Sequence, residues 1–344
     1  MSNNLHSHSQ SVFRTEAWTQ AWLDTWGKDI SKGLIDLGGR GNPLEMLYRI
    51  PHRFKRVMPV SVLCLVGNGF GTLSTPRSEY NDISDLIRES GSIHELSKEL
   101  HKLPWQQMCL TDIAAGYQEE DDVLSLIDFE PWGNHLIKEE PGYSIENMDF
   151  DHYLAKLGKS TRLAFFNRRS RLEKHGEVQR QQYSLIEIEQ FFQLLNDFHI
   201  QRWGNPCYSG QSMNFMKNFC QRLIDSGGEA VPEAIMVDGQ PVSVLFDVIW
   251  QNRRYNLQSG YHEHFAHKIP LGSLHLGYAI EDTLKARQNY DFLAGQGKKT
   301  DYKERIATHT TLLRSHIATR SYWKIVKSVQ IKAQHRLNKM SHHQ

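Results

Sequence analysis

The sequence predicts the α/β class in its α+β form, with mostly antiparallel sheet flanked by helices, and three patterns carry that prediction. Tyr255, Leu257, Ser259 and Tyr261 alternate with Asn256, Gln258 and Gly260, the two-residue period of a strand with two different faces. After Pro270-Leu271-Gly272-Ser273 the period lengthens, and Leu276, Ile280 and Leu284 recur every four residues as on one side of a helix. Asp238-Gly239, a two-residue hairpin signal, separates the apolar runs 234–237 and 242–250.

Taken in order, the elements fill two halves. Residues 1–11 are polar and read as disordered. Thr15-Glu16 opens a helix with Trp18, Trp22 and Trp26 on one stripe, which reads as core. Strand is expected at 56–66, helix at 80–88 and 93–103, and strand at 107–113. Between 118 and 148, clustered acids (Glu119, Glu120, Asp121, Asp122), Pro131, Pro141 and several glycines read as a domain edge, which sets domains at 12–146 and 147–318. The second half opens with a helix from about Asp151 carrying Leu154, Leu157, Leu163 and Phe166 inside and Arg162, Arg168, Arg169, Arg171 and Lys174 outside. Helices at 186–202 and 210–226 follow, then three antiparallel strands, the glycine turn, a helix, and the short buried strand Tyr290-Asp291-Phe292-Leu293-Ala294. Residues 319–344 are a basic tail, helical over 321–339, that caps the domain or touches an anionic surface.

Composition narrows the class. The chain has 344 residues and 39% hydrophobic content, enough for two domains of ordinary size with a large core. A formal net charge of +1 supplies no global attraction to nucleic acid or to an anionic membrane. Cys64, Cys109, Cys207 and Cys220 are scattered without CxxC spacing, as in a reducing cytoplasm. No stretch approaches the roughly 18 apolar residues of a spanning helix, and the N-terminus lacks the basic start and apolar core of a signal peptide. The expectation is a cytoplasmic protein without a transmembrane segment, with peripheral attachment to the inner membrane as a variant.

Helix, helix, antiparallel strands, a glycine turn onto a central helix and one more strand is the element order of the GNAT acyltransferase fold. The residues go further. Leu157-Gly158-Lys159, Arg168-Arg169, Leu172-Glu173, Phe198-His199, Arg202-Trp203, Ser259-Gly260-Tyr261, Ile269-Pro270-Leu271-Gly272, Ala279-Ile280-Glu281, Tyr290 through Gly295 and Tyr302-Lys303 stand in a consistent order. Together they resemble the bacterial acetyltransferase family associated with cellulose and envelope polysaccharide biosynthesis. That family is similar to the Fem-type peptidyltransferases, which carry two GNAT-like halves in one chain. The resemblance covers about residues 149–307 and, more weakly, 12–113, where Trp18, Trp22, Trp26-Gly27 and Tyr80-Asn81-Asp82 match. It implies tandem GNAT-like domains, a degenerate one at 12–146 and a catalytic one at 147–318, using acetyl-CoA or another acyl-CoA.

The residues suited to that chemistry fall into three groups. Lys268, Leu271, Gly272, Ser273 and Leu274 form a turn at a helix N-terminus, with Ser273 as expected N-cap, whose free N–H groups and one ammonium favour an anion. The resemblance makes that anion the CoA pyrophosphate, with Ser259 and Tyr261 lending a strand edge to the pantetheine arm if the strand splays from its neighbour. Acyl transfer to an amine further needs a base, an oxyanion donor and an acid. Asp247 and Asp291 sit in otherwise apolar strands, where a carboxylate is either paired or functional. Lys303 resembles the lysine that Fem-type enzymes place near the reacting carbonyl, and Tyr302 is read as the acid; a solvated lysine in a loop is the alternative. His199 and Trp203 share a helix face and are expected to line the acceptor pocket, with Arg202 reaching a phosphate or carboxylate, unless Trp203 only packs a helix end. The arginines from 162 to 171 suit a nucleotide- or lipid-linked sugar, although a solvated face is the plainer reading.

Two lookalikes fail. Gly67-Asn68-Gly69-Phe70-Gly71 brings its third glycine one residue too early for GxGxxG and no apolar helix follows. His262, His264 and His267 lack HExxH and any nearby cysteine, so no metal is expected. The sequence therefore reads as an acyl-CoA-dependent N-acetyltransferase in which a small-molecule or envelope-precursor amine, such as an amino sugar, attacks the thioester directly. No cysteine or serine has a nucleophile's setting. The rivals are a Fem-like transferase using aminoacyl-tRNA, which the balanced charge disfavours, and a non-catalytic scaffold of polysaccharide synthesis.

Overall fold

The computed structural model describes residues 11–54, 58–128, 132–266, 268–295 and 301–320. The tail helix expected at 321–339 and the first ten residues lie outside them. Backbone packing divides the chain into two units, 1–139 with 313–344, and 140–312.

In the first unit α1 (Glu16–Ile30) is followed by β1 (Leu34–Asp36), β2 (Met46–Phe54), β3 (Met58–Leu65), α2 (Ser84–Ser90), α3 (Ile93–Lys102), β4 (Gln107–Ala114) and α4 (Gln118–Ile127). The chain changes unit within β5 (Trp132–Ile145). The second unit runs α5 (Phe150–Lys156), α6 (Lys159–Arg162), a π-helical turn (Leu163–Asn167), α7 (Arg169–Leu172), β6 (Val178–Gln182), α8 (Ile188–Trp203), α9 (Gln211–Asp225) and β7 (Glu229–Val237). It continues through β8 (Gln240–Trp250), β9 (Arg253–Tyr261), α10 (Leu271–Lys285), β10 (Asn289–Asp291) and α11 (Asp301–Ile306), and the chain returns to the first unit along β11 (His309–Arg320). Among the described residues no helix is long and apolar enough to cross a membrane.

The first unit orders its strands β1-β2-β3-β4-β11, antiparallel except for the β3–β4 pair. Leu63, Leu65, Leu96, Leu100, Met108 and Leu110 form its core under α2, α3 and α4. The tryptophan stripe of α1 is buried, with the Trp22 ring 5.3 Å from that of Tyr48. The helix expected from residue 80 begins at Ser84, because Asn81 bridges to Ile113 and its amide bonds Asn68 and the Thr111 carbonyl. The acidic stretch read as a domain edge holds α4 and β5. Glu119, Glu120 and Asp121 lie in the first turn of α4, where the helix dipole favours them, and Val123, Leu126 and Ile127 are buried below. Strand β2 carried no expectation, since Met46-Leu47-Tyr48-Arg49-Ile50 does not alternate strictly.

The second unit orders its strands β5-β10-β9-β8-β7-β6, antiparallel except for β10–β9. The α+β class predicted from the hairpin and the glycine turn is the class observed. The single helix expected from Asp151 is broken, since Leu157 and Gly158 take extended backbone between α5 and α6. Gly277 of α10 admits the π-helical turn: a Cβ at Gly277 would lie 1.9 Å from the Phe165 carbonyl oxygen and 2.8 Å from its carbon. Backbone cannot yield as a side-chain tip does, so Gly277→Ala should cost about 2–3 kcal/mol despite alanine's better helix propensity. Urea unfolding of this variant checks it, and an unchanged midpoint would refute the close approach.

Candidate active site

The site follows from a mismatch in strand length. Strand β10 has three residues and pairs in parallel with Arg253, Arg254 and Tyr255 only, whereas β9 runs on to Tyr261. Beyond Asp291 the chain follows β5 instead, with the Phe292 amide donating to the Tyr143 carbonyl at 2.9 Å. Leu293 takes a left-handed backbone, φ 57°, held by a bond from its amide to Asp291 Oδ1 at 2.8 Å. The far half of β9 thus loses its neighbour on one side, which is the splay the sequence could not show. The register of β9 against β8 also shifts by one residue between Phe246 and Asp247. The His262 amide bonds the Val242 carbonyl and the Gly260 carbonyl accepts from Ser243 Oγ, so alternation turns the backbone groups of Ser259 and Tyr261 to the uncovered edge.

A cavity of about 950 Å³ opens along that edge. Ser259 and Tyr261 of β9 form one wall, and His199, Arg202 and Trp203 from the end of α8 form another. Leu271, Gly272 and Ser273 close it with the first turn of α10, and Phe165 and Tyr302 face them. Helix α10 begins at Leu271, two residues before the expected cap at Ser273. Pro270 occupies the N-cap position without a side-chain bond, and the first i-to-i−4 bond runs from Leu274 to Pro270 at 2.9 Å. Gly272 and Ser273 therefore present first-turn amides to the cavity, where the helix dipole favours negative charge. A Cβ at 272 would lie 2.7 Å from the Tyr261 ring, so any larger residue there has to displace that side chain.

The walls have distinct electrostatics. Burial holds the His199 imidazole below its ordinary pKa; a bond to the Ser259 backbone opposes that shift and the charge on Arg202 adds to it. Arg202 Nε is 3.1 Å from Glu263, and its guanidinium lies over the rings of Trp203 and Tyr261 at 5.1 and 4.9 Å. Burial pushes the Tyr302 hydroxyl up to about 12, with Tyr261 adding to the shift and Arg202 opposing it. Tyr302 thus keeps its proton across the physiological range.

Not every residue singled out in the sequence comes to this cavity. Asp247 is fully buried, accepting from Arg254 Nε at 2.6 Å, Asn256 Nδ2 at 2.7 Å and the Tyr290 hydroxyl at 3.0 Å. Asp291 accepts from Arg253 Nη1 at 3.1 Å and from the Leu293 amide. Both carboxylates, read as paired or functional, are paired. Lys303 is half-buried and does not line the cavity: Nζ donates to the carbonyls of Phe292 and Leu293 at 2.8 and 3.0 Å, tying down the chain after β10. Leu274 is buried against Ile235 and Val242, and Lys268 lines a separate groove.

The cavity also takes in Ser160, Thr161, His262, Glu263, His264 and Arg305, none of which carried an expectation as a site residue. Ser160 and Thr161 come from α6 and Arg305 from α11, whereas His262, Glu263 and His264 directly follow β9. Among the described residues no group of three His, Cys, Asp or Glu suits a metal ion. Ser243, His275 and Glu233 line up with Oγ to Nδ1 at 2.9 Å and Nε2 to Oε1 at 3.2 Å, an order seen in nucleophilic triads. All three are buried, Ser243 lines neither this cavity nor the groove at Lys268, and Arg180 bonds Glu233 through two nitrogens. Burial would raise the Glu233 carboxyl, but bonds from His275 and Arg180 bring it down to about 2.

No curated protein matches the chain in sequence. Among solved structures, FemX is similar at 11% identity over 90% of this chain and 96% of its own, with a TM-score of 0.52. A conserved protein of unknown function from Bacteroides thetaiotaomicron is similar at 12% identity over 91% and 93%, with a TM-score of 0.51. At such identities the likeness is one of fold. Residues 159–304, which contain every residue lining the cavity except Arg305 and Ile306, match the family model of the acetyltransferase (GNAT) domain.

Proposed function

We propose that the protein is an acyl-CoA-dependent N-acyltransferase, an acetyltransferase in the first instance, whose acceptor amine attacks the thioester directly. The observation that carries this reading is that the uncovered edge of β9 and the uncapped first turn of α10 open on one cavity. In it, the Gly272 and Ser273 amides hold the pyrophosphate and the backbone of Ser259 and Tyr261 guides the pantetheine arm. His199 takes the proton from the attacking ammonium: with one ring nitrogen donating to the Ser259 backbone, the other is a neutral base. Tyr302 returns a proton to the leaving thiolate. Arg202 and Trp203, at the mouth, receive the acceptor. Asp247, Asp291 and Lys303 serve by holding the sheet and the chain after β10. The acceptor class, an amino sugar or another amine of an envelope precursor, rests on the motif resemblance.

The test is ligand stabilisation with turnover. Acetyl-CoA at about 100 times its dissociation constant should add roughly 2.7 kcal/mol to stability, and an amine panel should identify an acceptor by thiol release. No shift with any acyl-CoA would remove the donor assignment. Stabilisation by an aminoacyl-tRNA alone would move the protein to the Fem-like reading.

A further inference from the structure

A second groove of about 420 Å³ adjoins the large cavity at Ile269 and Pro270, the residues just before the first turn of α10. The two spaces share Glu263, His264, Ile269 and Pro270 as walls, and the groove adds Arg168 and Lys268.

The arginine run of the sequence divides sharply at this point. Arg162 and Arg171 are exposed, and Arg169 is taken by Glu281 at 2.5 Å and stacked 3.7 Å over Tyr278. Arg168, which ends the π-helical turn, faces the groove, and its Nε is buried without a hydrogen-bond partner. Lys268 also lines the groove, on a left-handed backbone, φ 63°, a conformation that costs a non-glycine residue energy. Glu263 is the groove's acidic wall residue, and it is already paired with Arg202. Two cations therefore converge on a space whose carboxylate is engaged elsewhere.

We propose that this groove is the subsite for the 3′-phosphate of the CoA donor, so that the protein selects CoA over donors that lack it. The inference rests on the acyl-CoA reading above. Along acyl-CoA, the thioester is followed by pantetheine, pyrophosphate and then the 3′-phosphorylated ribose. A pyrophosphate on the Gly272 and Ser273 amides leaves that last phosphate as the next anion, and the groove adjoins that turn. Arg168 would grip it through a guanidinium fork and Lys268 as a point charge. A donor ending at phosphopantetheine would leave both cations unanswered.

The experiment compares acetyl-CoA, 3′-dephospho-acetyl-CoA and acetyl-4′-phosphopantetheine by calorimetric titration and by KM. The proteins are wild type, Arg168→Ala, Lys268→Ala and the double variant, with melting temperatures confirming the fold. Wild type should bind acetyl-CoA about 10- to 100-fold more tightly than the 3′-dephospho form, the range of one or two charge-assisted hydrogen bonds. The double variant should lose that factor for acetyl-CoA and leave the 3′-dephospho affinity unchanged, and Arg168→Lys should keep part of the discrimination. Equal wild-type affinity for the two forms, or an equal loss for both in the variants, would overturn the subsite and leave the donor assignment standing. Failure of every CoA form to bind wild type would overturn both.

Discussion

Replacing His199 with glutamine should lower kcat about 10²- to 10⁴-fold, the range supplied by one positioned general base. The glutamine amide can still donate to the Ser259 backbone, so the end of α8 stays packed, but it has no nitrogen that accepts a proton at neutral pH. The pH profile gives an independent reading. Burial lowers the His199 pKa from its ordinary value near 6.5, and the base must be neutral to act. Wild-type kcat should therefore be flat above pH 6.5 and fall as pH drops through the shifted pKa, and the acid limb should vanish in the variant. A variant with wild-type kcat, or an acid limb that persists unchanged, would show that another group takes the proton.

Replacing Asp247 with alanine should destabilise the protein by about 3–5 kcal/mol, the cost of stranding a buried charge. Arg254 is nearly as buried as Asp247, and it and the Tyr290 hydroxyl would both lose their acceptor. The effect should appear in unfolding free energy and not in the kcat of the protein that remains folded. A second change relieves the stranded charge: Asp247→Ala with Arg254→Met should recover part of the loss, giving a favourable coupling in a double-mutant cycle. If Asp247→Ala leaves stability intact and abolishes turnover, the carboxylate is catalytic.

These two residues show how far the sequence reaches. His199 was singled out with Arg202 and Trp203 because the three stand at helical spacing, and all three line the cavity. The base role proposed for it was not legible, because that depends on the Ser259 backbone, sixty positions away, meeting its ring. Asp247 was conspicuous as a carboxylate in an apolar strand, yet its partners Arg254 and Tyr290 come from two other strands. Lys303 was placed by motif alone. Its ammonium became a clasp for the Phe292 and Leu293 carbonyls because β10 stops after three residues and those groups lie beyond its ladder.

By itself the sequence determined the strand at Tyr255–Tyr261, the Asp238-Gly239 hairpin, the glycine turn at Gly272 and the α+β class that they imply. Each arises from side-chain alternation or backbone preference within a few residues, so each is written locally. Only the tertiary structure decided that β10 leaves the edge of β9 uncovered, that α10 starts uncapped at Leu271, and that Arg168 alone of its run faces a groove. Those outcomes depend on which distant elements meet, and on where buried charges and backbone donors find partners once they do.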